Sequence, residues 1–97
     1  MKTETKSEFF PTGTLKNRGE YILGTNIKHG SWIEYFGNGR IAEEGNYKNG
    51  KREGEWVLYL ETGGMKGIKV YKDGKPVENY KAESEKQEEV INEADNM

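Results

Sequence analysis

Residues able to do chemistry are few in this chain, and their spacing does not suit it. Glu43-Glu44 and Glu88-Glu89 are adjacent acids. Neighbours on a strand point to opposite faces, so neither pair can act together on one substrate. Solvated surface charge accounts for them. His29, the one histidine, follows Thr25-Asn26-Ile27-Lys28 in an expected turn, with no nearby residue to orient a general base. Gly37-Asn38-Gly39 reads as a turn and not a phosphate loop, because no helix follows to offer its N-terminus. There is no cysteine, hence no disulfide framework and no thiolate metal site, and one histidine cannot build an imidazole site alone. The residues therefore predict no catalytic, cofactor-binding or metal-ligating set, and no enzyme.

Composition limits what can position any other site. Ninety-seven residues suit one small domain with a modest core. Leu, Ile, Val and Phe make up only 17 of the 97 residues, below the level typical of packed domains. In their place stand 13 glycines and 11 aromatics: six Tyr, three Phe and two Trp. No apolar run reaches the roughly 20 residues of a membrane span. Met1-Lys2-Thr3-Glu4-Thr5-Lys6 has no apolar segment behind its lysines and does not read as a secretory signal. A cytoplasmic compartment is expected, with no membrane partner.

Glycines and aromatics recur with a period of 24 residues. Gly30 falls on Gly54, Trp32 on Trp56, Tyr35 on Tyr59, Gly39 on Gly63, Tyr47 on Tyr71 and Gly50 on Gly74. A weaker copy sets Phe9–Gly13 on Tyr35–Gly39 and Tyr21–Gly24 on Tyr47–Gly50, with two extra residues in the turn that follows. The predicted organisation is a lead over 1–8, three repeats within 9–77 (about 9–30, 31–54 and 55–77), and a tail over 78–97.

Tyr35, Tyr47, Tyr59 and Tyr71 lie 12 residues apart, so each repeat holds two strands and two turns. Stretches 31–36, 40–47, 55–60 and 65–72 read as strands, and 14–22 as a fifth. Asn49-Gly50 and Asp73-Gly74 supply the positive φ angles of tight hairpin turns. Within 31–36, Trp32 faces one way and Ile33 and Tyr35 the other; within 55–60, Trp56 and Leu58 oppose Val57 and Tyr59. Gly45 and Gly67 leave bare backbone for aromatic rings to lie against. These features predict an all-β, single-layer antiparallel meander of β-hairpin repeats, each dependent on its neighbour, with a short C-terminal helix or tail.

The patterns Y-x-x-x-G, G-x-W-x-x-Y and Y-x-x-G-x-x-x-G resemble MORN repeats, in the variant found in YwqK-type bacterial antitoxin proteins. They are carried by Tyr35-Gly39, Tyr47-Gly50-Gly54, Trp56-Tyr59-Gly63 and Tyr71-Gly74, with a faint copy at Phe9-Gly13. The resemblance implies a non-enzymatic β-hairpin repeat that acts as an interaction module, and for the bacterial variants an antitoxin role.

Charge divides the chain. Residues 78–97 hold seven acids and two lysines, net −5, against +3 for residues 1–77. Ser84-Glu85-Lys86-Gln87 fits a capping box, with Val90, Ile91, Ala94 and Met97 along one side of a short helix. Two classes of binding fit this chain. In the first, the aromatic residues Trp32, Tyr35, Trp56 and Tyr59, or the acidic residues Glu85, Glu88 and Glu89, bind and neutralise a partner protein: a toxin, or a host nucleic-acid enzyme inhibited by a phage or mobile-element product. In the second, Lys48, Lys51, Arg52, Lys66, Lys69, Lys72 and Lys75 among the aromatics bind single-stranded nucleic acid, although a pI near 5.5 is low for that role. Pairing of two copies through an open sheet edge is a further expectation.

Overall fold

The structure is a computed structural model, and it describes residues 1–77. The expected C-terminal helix lies outside the described residues, as do Glu85, Glu88 and Glu89. Seven strands form one antiparallel sheet whose spatial order is the chain order. They are β1 (Thr3–Phe9), β2 (Leu15–Ile22), β3 (Lys28–Tyr35), β4 (Ile41–Lys48), β5 (Lys51–Tyr59), β6 (Met65–Lys72) and the short β7 (Lys75–Pro76). The single-layer meander expected from the turn spacing is the observed architecture.

The turns at the two ends of the sheet differ in type, and the β2–β3 connection is a longer loop closed by the Ile22 amide on the Ile27 carbonyl. After β1, β3 and β5, three loops share one hydrogen-bond pattern, in which the Gly13, Gly39 and Gly63 amides donate to the carbonyls of Phe10, Phe36 and Leu60. All three glycines have positive φ, as the left-handed residue of a three-residue hairpin loop requires. Each is matched by a register slip, at Glu8/Phe9, Glu34/Tyr35 and Leu58/Tyr59. At the opposite end, Asn49-Gly50 and Asp73-Gly74 take φ angles of 50° and 84°, and 54° and 84°, the left-handed pair of a two-residue hairpin turn.

The hairpins run 3–22, 28–48 and 51–72, so their frame is displaced from 9–30, 31–54 and 55–77. Residues 1–8, expected as a lead, supply most of β1. Thr-Glu-Thr-Lys-Ser-Glu has no aromatic or aliphatic signal, and the strand is held by its register against β2 from Thr3↔Ile22 to Phe9↔Leu15. His29 likewise lies within β3 and not in a turn.

The core is small and lies on one face. Trp32 is 2% exposed and Trp56 fully buried; they are the only apolar side chains in the buried class among the described residues. Their neighbours on that face follow from register: Gly19↔Trp32↔Gly45, Gly30↔Tyr47↔Arg52 and Gly54↔Tyr71. A Cβ at Gly19 would run into the Trp32 ring, and one at Gly45 into the Trp56 ring. Each indole thus lies flat on bare backbone of the preceding strand. Gly67 does not serve this purpose, because a Cβ there would meet nothing. It faces Leu58 across β5–β6, and no ring reaches it.

Candidate functional site: the two faces of the sheet

On the first face, five rings stack edge to face in strand order: Tyr21, Trp32, Tyr47, Trp56 and Tyr71. Centroid separations are 6.1, 5.7, 5.1 and 6.3 Å, within the range where the positive edge of one ring meets the negative face of the next. Cations close this ladder from outside. Lys6 lies over Tyr21, Lys28 over Trp32 and Tyr47, and Arg52 over Trp56 and Tyr71, at 4.1 to 5.4 Å from the ring centroids. Lys28 and Arg52 are 24 residues apart, so the cation belongs to the repeat. Arg52 also donates to Glu43 Oε1 at 2.7 Å. The indole N–H groups are satisfied too: Trp32 Nε1 donates to Glu34 Oε1 and Trp56 Nε1 to the Asn46 carbonyl.

Among the described residues, the second face has no such cover. The row Arg18↔Ile33↔Glu44↔Val57↔Ile68 crosses β2 to β6, and Tyr35, Tyr59 and Val70 lie on the same side. The six apolar or aromatic residues flanking Glu44 between β3 and β6 are half-buried against one another, with no second layer above them among the described residues. Between them a shallow groove is lined by Ser31, Ile33, Glu44, Glu53, Glu55 and Val57. Tyr59 donates its hydroxyl to Glu44 at 2.5 Å, and this bond to the carboxylate, with burial, raises the phenol above its ordinary value. Glu20 accepts from the Ser31 hydroxyl and amide and from Thr3, and the Ser31 hydroxyl is the largest of the effects that lower its carboxyl.

Of the four aromatic residues expected as one binding surface, the sheet therefore separates two from two. Trp32 and Tyr35 are three positions apart, as are Trp56 and Tyr59, and a strand's period of two sends such residues to opposite faces. The tryptophans are buried under cations and cannot anchor a partner directly; Tyr35 and Tyr59 remain on the open face. His29 has an orienting contact that the sequence does not display. Its Nδ1 accepts from the Asn49 amide at 3.0 Å, 20 residues on, and so caps the β4–β5 turn. Glu53, its equivalent one repeat later, does the same for the Asp73 amide. Among the described residues no group of His, Asp and Glu could hold a metal ion, and no helix is long and apolar enough to cross a membrane.

Comparison with known families finds a MORN repeat variant at residues 28–49. That segment is the middle hairpin, β3 to the first residue of the turn after β4, and contains Trp32, Gly45 and Tyr47. No curated protein matches the chain, and no solved structure matches it.

Proposed function

We propose that this chain is a non-enzymatic protein-binding module that neutralises its partner, and that the open face of the sheet is the surface that makes the contact. The observation that carries this reading is the asymmetry of the two faces. One is closed by rings and cations. On the other, Ile33, Tyr35, Val57, Tyr59, Ile68 and Val70 have no covering layer among the described residues, beside Glu20, Glu44, Glu53 and Glu55. Half-exposed apolar rows rimmed by charge are the usual make-up of a protein interface. The carboxylates suit a partner that brings basic side chains to the same surface. An antitoxin role is the specific form of this reading, suggested by the resemblance to YwqK-type proteins. Inhibition of a nucleic-acid enzyme rests on the same surface with a different partner.

Base stacking on the tryptophans fits the geometry poorly, since both indoles are buried and a cation already lies over each. The test is binding of the full chain to the product of the neighbouring gene, by calorimetry, for the native protein and for Ile33→Lys and Val57→Lys. Loss of at least tenfold in affinity by both variants, with unchanged circular dichroism, supports the open face. Undiminished binding by both excludes it. Tight, salt-sensitive binding of a single-stranded oligonucleotide would move the function to the other class.

A further inference from the structure

In the sheet formed by the described residues, strand β1 lies at one edge. Its hydrogen-bonding direction is set by the Leu23 amide, which donates to the Lys2 carbonyl at 3.0 Å. Backbone groups of an antiparallel strand alternate in direction, and with the register Thr3↔Ile22 through Glu8↔Asn17 this orients every residue. Lys2, Glu4, Lys6 and Glu8 turn their N–H and C=O groups toward β2. Thr3, Thr5 and Ser7 turn theirs outward, away from the sheet. Side chains sort with the same period. Lysine and glutamate alternate along the face that carries the ring ladder, and the hydroxyl residues occupy the other.

We infer that this edge is a self-association surface, on which β1 of a second copy pairs antiparallel about a twofold axis at Thr5. In that register Thr5 faces Thr5 of the second copy, and Thr3 faces its Ser7. All the outward amides and carbonyls of these three residues then find partners, about six hydrogen bonds in all. On the ring-ladder face, Glu4 meets Lys6 of the second copy and Lys2 meets its Glu8, each twice by symmetry. Every cross-strand charge pair is of opposite sign.

The register is selected by charge. A slip of two residues in one direction opposes Glu4 to Glu8 and Lys6 to Lys6; in the other it opposes Glu4 to Glu4 and Lys2 to Lys6. Each of these sets like charges face to face. A slip of one residue turns the outward groups of one strand against the inward groups of the other, and sends the side chains to the wrong faces. A slip of four restores opposite signs but shortens the paired stretch from 2–8 to 5–9 or 1–5. Lysine on an edge strand ordinarily keeps other chains away. Strict alternation with glutamate does something narrower: it rejects the near registers and accepts one. The two seven-stranded sheets become continuous, with both ring ladders on one side and both open faces on the other.

Sedimentation equilibrium of the full chain over a concentration series tests this. The expected result is a reversible species of twice the 11.1 kDa chain mass. Thr5→Pro removes an outward N–H that makes no bond to β2, a position where an edge strand accepts proline, and is expected to weaken association at least tenfold without loss of the sheet's circular dichroism. The double variant Glu4→Lys, Glu8→Lys and the double variant Lys2→Glu, Lys6→Glu are each expected to be monomeric alone and to form a 1:1 dimer when mixed. A native chain that stays monomeric at about 1 mM, the weak limit of specific association, overturns the inference. So does a dimer that survives Thr5→Pro, or folded charge variants that ignore each other.

Discussion

At the residue scale, the fold depends on a pairing between an indole and an absent side chain. Trp32 needs Gly19 and Trp56 needs Gly45, because in each case a Cβ would occupy the volume of the ring. Gly19→Ala and Gly45→Ala are expected to destabilise by about 1–3 kcal/mol, the usual cost of forcing extra volume into a packed site. Gly67→Ala meets open space and should be neutral or stabilising by up to about 1 kcal/mol, since it restricts the unfolded chain. Urea unfolding of the three variants measures this contrast. Two titrations add pH dependence. The Tyr59 phenol is raised in the folded state by its bond to Glu44 and by burial. Its contribution is therefore complete below the phenol's ordinary range and is lost as pH climbs through the folded value. Tyr59→Phe should flatten the alkaline arm of a stability–pH profile. The Glu20 carboxyl is lowered, first by the Ser31 hydroxyl, so its contribution is complete above the ordinary carboxylate value and is lost as pH falls through the folded one. Ser31→Ala should weaken that acid-side loss. The role of Gly45 was legible in the sequence because an isolated glycine interrupts a strand pattern. Gly67 gives the same signal without the role, for only register shows which glycine faces an indole.

At the element scale, the hairpin is the unit and its turns fix its phase. Asn49-Gly50 and Asp73-Gly74 hold left-handed backbone that other residues adopt only with strain, so Gly50→Ala and Gly74→Ala should each cost about 1–2 kcal/mol. Thermal denaturation of both, beside Gly67→Ala as a strand glycine with ordinary φ, separates strain from loss of glycine as such. Five strands were legible because aromatic and β-branched runs alternate with Asn-Gly, Asp-Gly and Thr-Gly turns. Strand β1 was not. Thr-Glu-Thr-Lys-Ser-Glu has neither run nor ring, and what makes it a strand is the unpaired edge that β2 would otherwise present. For the same reason the hairpin frame could not be placed from spacing alone: a periodic pattern gives the length of a unit but not where it begins. The contact between His29 and Asn49 spans two strands and was beyond reach of local reading.

At the scale of the whole molecule, the described residues form a single layer, with no second sheet or helix among them, and such a layer must bury its core against its own backbone. Trp56 is central to this, with Tyr47 on one side, Tyr71 on the other and Arg52 above. Trp56→Ala should cost about 3–5 kcal/mol, a large share of what a domain of this size has to spare. Far-UV circular dichroism will register it as unfolding, and Trp56→Phe should retain part of the sheet. The ladder also bears on how such a molecule grows. Each indole rests on a glycine contributed by the unit before it, so the requirement runs backwards along the chain. Across β5–β6 the residue opposite Trp56 is Lys69, where β4 offers Gly45 to Trp32. An indole-bearing unit appended after β6 would meet a lysine in place of that seat. A duplicated copy of residues 28–51 inserted after Lys51 brings its own tryptophan to the existing Gly45 and presents a new glycine to Trp56. Lengthening this sheet is therefore a matter of copying from its interior, because Lys69 stands where a further indole would need a glycine.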